Sequence, residues 1–297
     1  KRNSIIYGDS LSGFYMLERT QRTLKREVRY SGVGIHLGKS STLHLQPAQT
    51  NTGIVFQRQS ASGNYENVPA LLDHVYTTGR STTLSRGSAV IATVEHLMAA
   101  LRSNNIDNLI IQCSGEEIPI GDGSSNVFVE LIDQAGICEQ EDKVSIARLT
   151  RPVYYQHQDI FLAAFPSDEL KISYTLHYPQ SSTIGTQYKS LVINEESFRQ
   201  EIAPCRTFAL YNELCFLMEK GLIGGGCLDN AVVFKDDGII SRGQLRFADE
   251  PVRHKILDLI GDLSLVGRPF VAHVLAVGSG HSSNIAFGKK ILEALEL

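Results

Sequence analysis

Residues 252–267 read VRHKILDLIGDLSLVG, and the reading of this stretch organises the rest of the chain. Drawn as a helix, it sets His254, Asp258 and Asp262 four residues apart on one face. Lys255 borders that stripe, while Ile256, Leu257, Leu259, Ile260 and Leu263 fill the opposite side. A histidine and an aspartate at i and i+4 can reach one metal ion, and imidazole with carboxylate suits zinc. The same pattern also fits an ordinary surface helix whose polar stripe faces water. The stretch alone leaves both readings open.

Working outward, ATVEHLMAAL at 92–101 predicts a second helix, with Thr93 in position to cap it. Its Glu95-His96 pair stands in apolar company, where either side chain buried alone is costly. Neighbours on a helix diverge by about 100°, so His96 could take a metal while Glu95 reaches a water beside it. His281 follows a glycine in GSGH, between a predicted strand and the last helix. An imidazole on such a turn faces a cleft readily and can serve as general acid. The plainer readings are two surface residues and a loop histidine. His44, His74, His157, His177 and His273 lie in strand-like or loop settings and are read as structural.

The composition narrows the class. A chain of 297 residues with 42% hydrophobic and 20% charged content is an ordinary globular protein with room for two domains. A net charge of -4 gives no general case for nucleic acid. Five cysteines without CxxC spacing argue against a disulfide scaffold or a cysteine zinc site, and read as cytosolic. No apolar run is long enough for a transmembrane helix.

Along the chain, residues 1–20 read as an extension lacking periodicity, with Met16 a plausible natural start. STLHLQP and GIVFQR alternate like half-buried strands, and YSGVGIHLG puts three glycines around His36. NLIIQC reads as a buried strand, EEIPIGDGSSN as a loop, and VFVELIDQAG as a helix stopped at Gly136. The acidic EQEDK at 139–143 reads as a linker, dividing domain I (21–142) from domain II (143–297). The second half repeats the rhythm of the first without its letters. Irregular alternation of strands and helices favours α+β layers over a doubly wound sheet. GxGxxG, Walker and HExxH motifs are all absent.

TVEHLMAAL, EIPIGDGSS, RTFAL, GGCLDNAVV, RHKILDLIGDL and SGH occur in order. Together they resemble the UDP-3-O-acyl-N-acetylglucosamine deacetylases, the zinc amidases of lipid A synthesis in Gram-negative bacteria. The resemblance runs from residue 21 to the end. It implies two similar α+β domains, each a sheet packed on a pair of helices, with the active site between them. It also implies an insert near 210–233 that forms a hydrophobic passage for the acyl chain. The family's zinc ligands match His96, His254 and Asp258, one metal per chain, with iron(II) as an alternative occupant. Glu95 matches the general base, His281 the general acid and Asp262 the carboxylate that orients it. Thr207 matches an oxyanion-stabilising hydroxyl, Phe208 a ring near the uracil, Lys255 a substrate-binding lysine, and His36 a residue near the cleft. Cys205, Ala209, Cys227 and the run SSNIAF depart from the family's usual residues, which touches acyl-length and inhibitor preference rather than the chemistry. The expected protein is a cytoplasmic, monomeric hydrolase of a UDP-acyl-sugar, active without residues 1–20. A rival, a catalytically silent sugar-nucleotide binder on the same fold, is disfavoured because each catalytic position carries the residue the chemistry needs.

Overall fold

The computed structural model describes residues 17–60 and 63–296. The first half runs β1 (Leu17–Leu24), β2 (Val28–Val33), β3 (Ser40–Pro47), β4 (Ile54–Gln59) and β5 (Tyr65–Pro69). Three short strands follow, β6 (Val75–Thr77), β7 (Thr83–Arg86) and β8 (Ala89–Ile91), then α1 (Glu95–Ser103), β9 (Leu109–Cys113), α2 (Asn126–Ala135) and β10 (Ile137–Arg148). The second half begins with β11 (Val153–His157), β12 (Ile160–Phe165), β13 (Lys171–Tyr178), β14 (Gly185–Val192) and the single turn α3 (Glu195–Ser197). It continues through β15 (Phe208–Leu210), α4 (Tyr211–Glu219), β16 (Val232–Lys235), β17 (Gly238–Ile240), α5 (Glu250–Ser264), β18 (Phe270–Val271), β19 (His273–Val277) and α6 (His281–Leu295).

The two halves are the same unit built twice. One sheet has the order β2-β3-β9-β4-β5 and the other β11-β12-β19-β13-β14. In each, two antiparallel hairpins flank the unit's last strand, which pairs parallel with the first strand of the second hairpin. The alternation in STLHLQP appears as buried Ser41, Leu43 and Leu45, the inward face of β3. Helices α1 and α2 belong to the first unit, α5 and α6 to the second. This is the α+β, two-unit architecture expected from the sequence.

The units meet along α1 and α5. Gly261 lies mid-helix, where glycine costs about 1 kcal/mol relative to alanine, and a Cβ there would stand 2.1 Å from the Glu95 carbonyl oxygen. The absence of a Cβ lets the two helices touch backbone to backbone. Nearly all of α5 is buried, so its polar stripe faces protein and the water-facing reading fails.

Several local expectations change. Residues 17–20 belong to β1 and pair with β10, with Arg19 held bidentately by Asp107 at 2.7 and 2.8 Å. The rest of the expected extension, Met16 included, lies outside the described residues. EQEDK lies within β10, not in a loop. Its charges mimic a linker because this ribbon is solvent-exposed and its charges find cross-strand partners, Arg22 with Glu139 and Lys143 with Glu18. Thr93 does not cap α1. It has φ 61°, and its hydroxyl donates to Glu117 instead. His44, read as structural, meets Glu27 at 2.9 Å.

Candidate metal and acid–base centre

α1 and α5 bring the three expected ligands together. Nε2 of His254 and of His96 stand 3.4 and 3.7 Å from Asp258 Oδ1. That oxygen is buried without a hydrogen-bond partner, a costly state for a carboxylate unless a cation faces it. One donor atom from each residue lies within 4.8 Å of the others, so the set fits a single metal ion. His254 Nδ1 donates to the Cys205 carbonyl at 3.0 Å, which leaves Nε2 unprotonated and aimed at the same point. Burial pushes the His254 imidazole down to about 4, so it is neutral, as a ligand must be. Burial alone would raise the Asp258 carboxyl. Lys255, whose Nζ donates to Oδ2 at 2.9 Å, and then His254 outweigh burial and hold it well below the usual range.

Conserving this geometry takes a scaffold from distant segments. The Cys205 carbonyl is fixed because its neighbour Arg206 is buried against Glu250, with Nε to Oε1 at 2.9 Å and the Arg206 amide on the same oxygen. The loop EIPIGDGSS holds both helices' partners. Ser125 Oγ donates to the His96 carbonyl at 2.6 Å, and the Gly123 carbonyl accepts from the Thr207 amide at 2.8 Å. Gly123 has φ 85°, and a Cβ there would lie 1.9 Å from the Asn230 carbonyl, so glycine is required.

Beside the ligands lies an acid–base pair. His281 is the first residue of α6, and its Nδ1 meets Asp262 Oδ2 at 2.9 Å while its Nε2 stands 3.7 Å from Glu95 Oε1. Burial opposes charge on this ring, but Asp262 and then Glu95 outweigh it and raise the imidazole to about 10. Glu95 is raised in turn, by burial first, with His281 and His96 pulling the other way. A carboxylate raised toward neutrality and an imidazolium side by side form a base and an acid in one site.

Both groups open on a cavity of about 560 Å³, the size of a small-molecule site. Its polar end carries Glu95, His96, Thr207, His254, Asp258 and His281, while Leu210, Leu214, Leu217, Met218, Ile223 and Leu228 line its apolar part. Lys255 Nζ sits 5.7 Å from the Phe208 ring centroid, and that ring meets His254 edge-on at 6.3 Å. His36 reaches the cavity from the first unit, its Nδ1 buried and unpartnered, with burial keeping the ring below its ordinary value. The glycines around His36 serve a docking contact. Gly224 and Gly225 donate to the His36 and Ile35 carbonyls at 2.8 and 3.0 Å, and a Cβ on Gly225 would lie 2.2 Å from the Gly34 carbonyl oxygen. All ten candidate residues thus border the cavity except Asp262, which stands behind His281.

Sequence reasoning missed Thr82, Glu117, Glu250 and Asn284. Thr82 donates its amide to Glu95 and its hydroxyl to Asp262. Glu117 accepts the amides of His36 and Leu37 at 2.8 and 2.7 Å. Asn284 donates to Asp262 Oδ2 at 2.9 Å. The available signals were the hydroxyl run STT at 81–83 and an Asn one turn past His281.

Residues 21–293 match the family model described as UDP-3-O-acyl N-acetylglycosamine deacetylase, LpxC. Proteins named UDP-3-O-acyl-N-acetylglucosamine deacetylase from Chlamydia caviae and Chlamydia abortus are 80% and 79% identical over 281 residues. These alignments cover 95% of this chain and 100% of each relative. The protein of that name from Chlamydia trachomatis serovar D is 72% identical, covering 95% of this chain and 98% of its own. With a buried His-His-Asp cluster, an adjoining carboxylate–imidazole pair and this similarity along nearly its whole length, the chain belongs to the UDP-3-O-acyl-N-acetylglucosamine deacetylase family.

Proposed function

We propose that this chain hydrolyses the N-acetyl group of UDP-3-O-acyl-N-acetylglucosamine, releasing acetate and UDP-3-O-acyl-glucosamine, the committed step of lipid A synthesis. The observation that carries this reading is the meeting of His96, His254 and Asp258 with Glu95 and His281 at the polar end of one half-apolar cavity. His96, His254 and Asp258 would hold one divalent cation, zinc or iron(II). When bound, such an ion acidifies water and polarises the acetamide carbonyl. Glu95 accepts the proton of the attacking water through Oε1, its oxygen toward His281. His281, held as imidazolium by Asp262, delivers a proton to the departing sugar nitrogen, which an amide needs because an amide anion leaves poorly. Thr207 offers a hydroxyl to the carbonyl oxygen as charge develops there. Lys255, Phe208 and His36 bind and orient substrate around the reacting centre.

The insert near 210–233 holds α4 and the loop between parallel strands β15 and β16. Its Leu214, Leu217 and Met218 supply an apolar wall suited to the acyl chain. All five cysteines are free thiols, which supports a reducing, cytoplasmic setting, and we take the chain to act as a monomer. Among the described residues no helix is long and apolar enough to cross a membrane. The test is acetate release from UDP-3-O-acyl-N-acetylglucosamine by protein of measured metal content. Stoichiometric metal with turnover supports the reading, and folded, metal-loaded protein that releases no acetate overturns it.

A further inference from the structure

Two carboxylates flank the His281 ring, Asp262 at Nδ1 and Glu95 on the Nε2 side, and both are buried. A buried carboxylate has two oxygens of similar reach, and which one faces the ring depends on what occupies the other. In this fold one residue occupies both. The Thr82 amide donates to Glu95 Oε2 at 3.0 Å, and the Thr82 hydroxyl donates to Asp262 Oδ1 at 2.5 Å. Each bond leaves the opposite oxygen, Glu95 Oε1 and Asp262 Oδ2, for the His281 ring. Thr82 itself is fully buried just ahead of β7, and Val94, the residue before α1, donates its amide to the Thr82 carbonyl at 3.2 Å.

From this geometry we infer that Thr82 is a positioning residue for the acid–base step, fixing through its hydroxyl the orientation of Asp262 and hence of the His281 ring. The inference rests on the deacetylase reading for its kinetic test, but the hydrogen-bond arrangement stands independently of the substrate. Asn284 shares Oδ2 with His281, so it cannot replace the hydroxyl on Oδ1. Without the hydroxyl, Oδ1 becomes a buried acceptor with no donor among the described residues. Its carboxylate then gains by turning away from the ring or by drawing in water.

Thr82→Val keeps the shape and the backbone amide and removes only the hydroxyl, while Thr82→Ser restores it. Both variants are measured as metal-loaded full chains beside wild type, for kcat, KM, metal content and the downfield proton resonance of the His281 Nδ1–H···Asp262 bond. We expect Thr82→Val to lose about 10- to 100-fold in kcat, the range for a lost hydrogen bond to a charged group. KM and metal stoichiometry should hold, and the downfield resonance should shift or disappear. Thr82→Ser should recover kcat to within a few fold and restore the resonance. A Thr82→Val protein with kcat within about twofold of wild type and an unmoved resonance overturns the inference. So does a serine variant as impaired as valine, or a valine variant that loses its metal. Inactive wild type would refute the deacetylase reading and leave the resonance to decide the role of Thr82.

Discussion

Replacing Asp262 by Asn tests the acid–base centre most directly. Asp262 is fully buried and accepts from three donors, Thr82, His281 and Asn284. It is the first of the groups that raise the His281 imidazole to about 10 from 6.5, against the pull of burial. An acid must be protonated to act, so a raised value extends activity toward high pH. The activity limb lies where His281 loses its proton. An adjacent carboxylate moves a partner's pKa by about 1–3 units, so Asp262→Asn should bring the alkaline limb down by about that amount. The asparagine amide could also donate toward Nδ1, favouring the neutral ring with its proton on Nε2 and discouraging the imidazolium further. A bound dication lowers the limb in both proteins, so the difference between them is the quantity to read. The acid limb, where Glu95 as base must be ionised, should move less. The assay is kcat/KM for acetate release from about pH 5 to 10, with metal content and folding measured on the same samples. Linkage gives a second reading with a defined sign. A group whose folded value is raised contributes stability that is complete below its unfolded value and fades as pH rises through the folded one. The stability Asp262→Asn loses should therefore be largest near pH 6 and shrink on approaching pH 10. An alkaline limb that stays in place with metal retained would refute the role of Asp262.

Three further outcomes follow from the same geometry. His254→Ala should abolish stoichiometric metal and turnover together, as elemental analysis beside the acetate assay would show, and full metal occupancy in that variant would remove His254 from the ligand set. Glu95→Gln should keep the metal and lower kcat by about 10²–10⁴-fold, the usual contribution of a general base, and near-normal turnover would assign the base elsewhere. Gly261→Ala puts a Cβ 2.1 Å from the Glu95 carbonyl. It should therefore cost about 1–3 kcal/mol in denaturant unfolding and lower activity as well, whereas an unchanged denaturant midpoint would mean that α1 and α5 can separate freely.

The sequence made the site's chemistry legible because its groups sit at short, patterned spacings. His254, Asp258 and Asp262 keep helical period, and Glu95 and His96 are adjacent. What holds these groups was hidden because it depends on contacts between distant segments. Thr82 and Asp262 are 180 residues apart, and Arg206 and Glu250 are 44. No local pattern announces such a pair. The start of β1 was hidden for another reason. Leu17 and Glu18 are exposed, Arg19, Thr20 and Arg22 are only half-buried, and cross-strand ion pairs stabilise the strand, so its polar composition resembles that of an unstructured tail. This changes the truncation expectation. A chain beginning at Gln21 lacks half of β1 and the bidentate Arg19–Asp107 pair, so it should unfold more readily than one beginning at Leu17.

The repeated architecture explains why neither half contains the site. Helices α1 and α5 hold equivalent places, each preceding the parallel strand at the centre of its sheet, yet they carry different side chains. α1 brings Glu95 and His96 in its first turn, and α5 brings His254, Asp258 and Asp262 along three turns. α6 then adds His281 from its first residue, while its counterpart α2 contributes no residue to the cavity lining. A metal bound by His96, His254 and Asp258 would span the contact between units, so its binding energy would also hold them together. Burying three carboxylates and the imidazoles of His96 and His254 at that contact is costly unless cations face them. The contact is tolerable because each carboxylate is met by designated donors: Glu95 by the Thr82 amide, Asp258 by Lys255, and Asp262 by Thr82, His281 and Asn284. The one oxygen left over among those six that faces two ring nitrogens is Asp258 Oδ1, the atom a metal would claim.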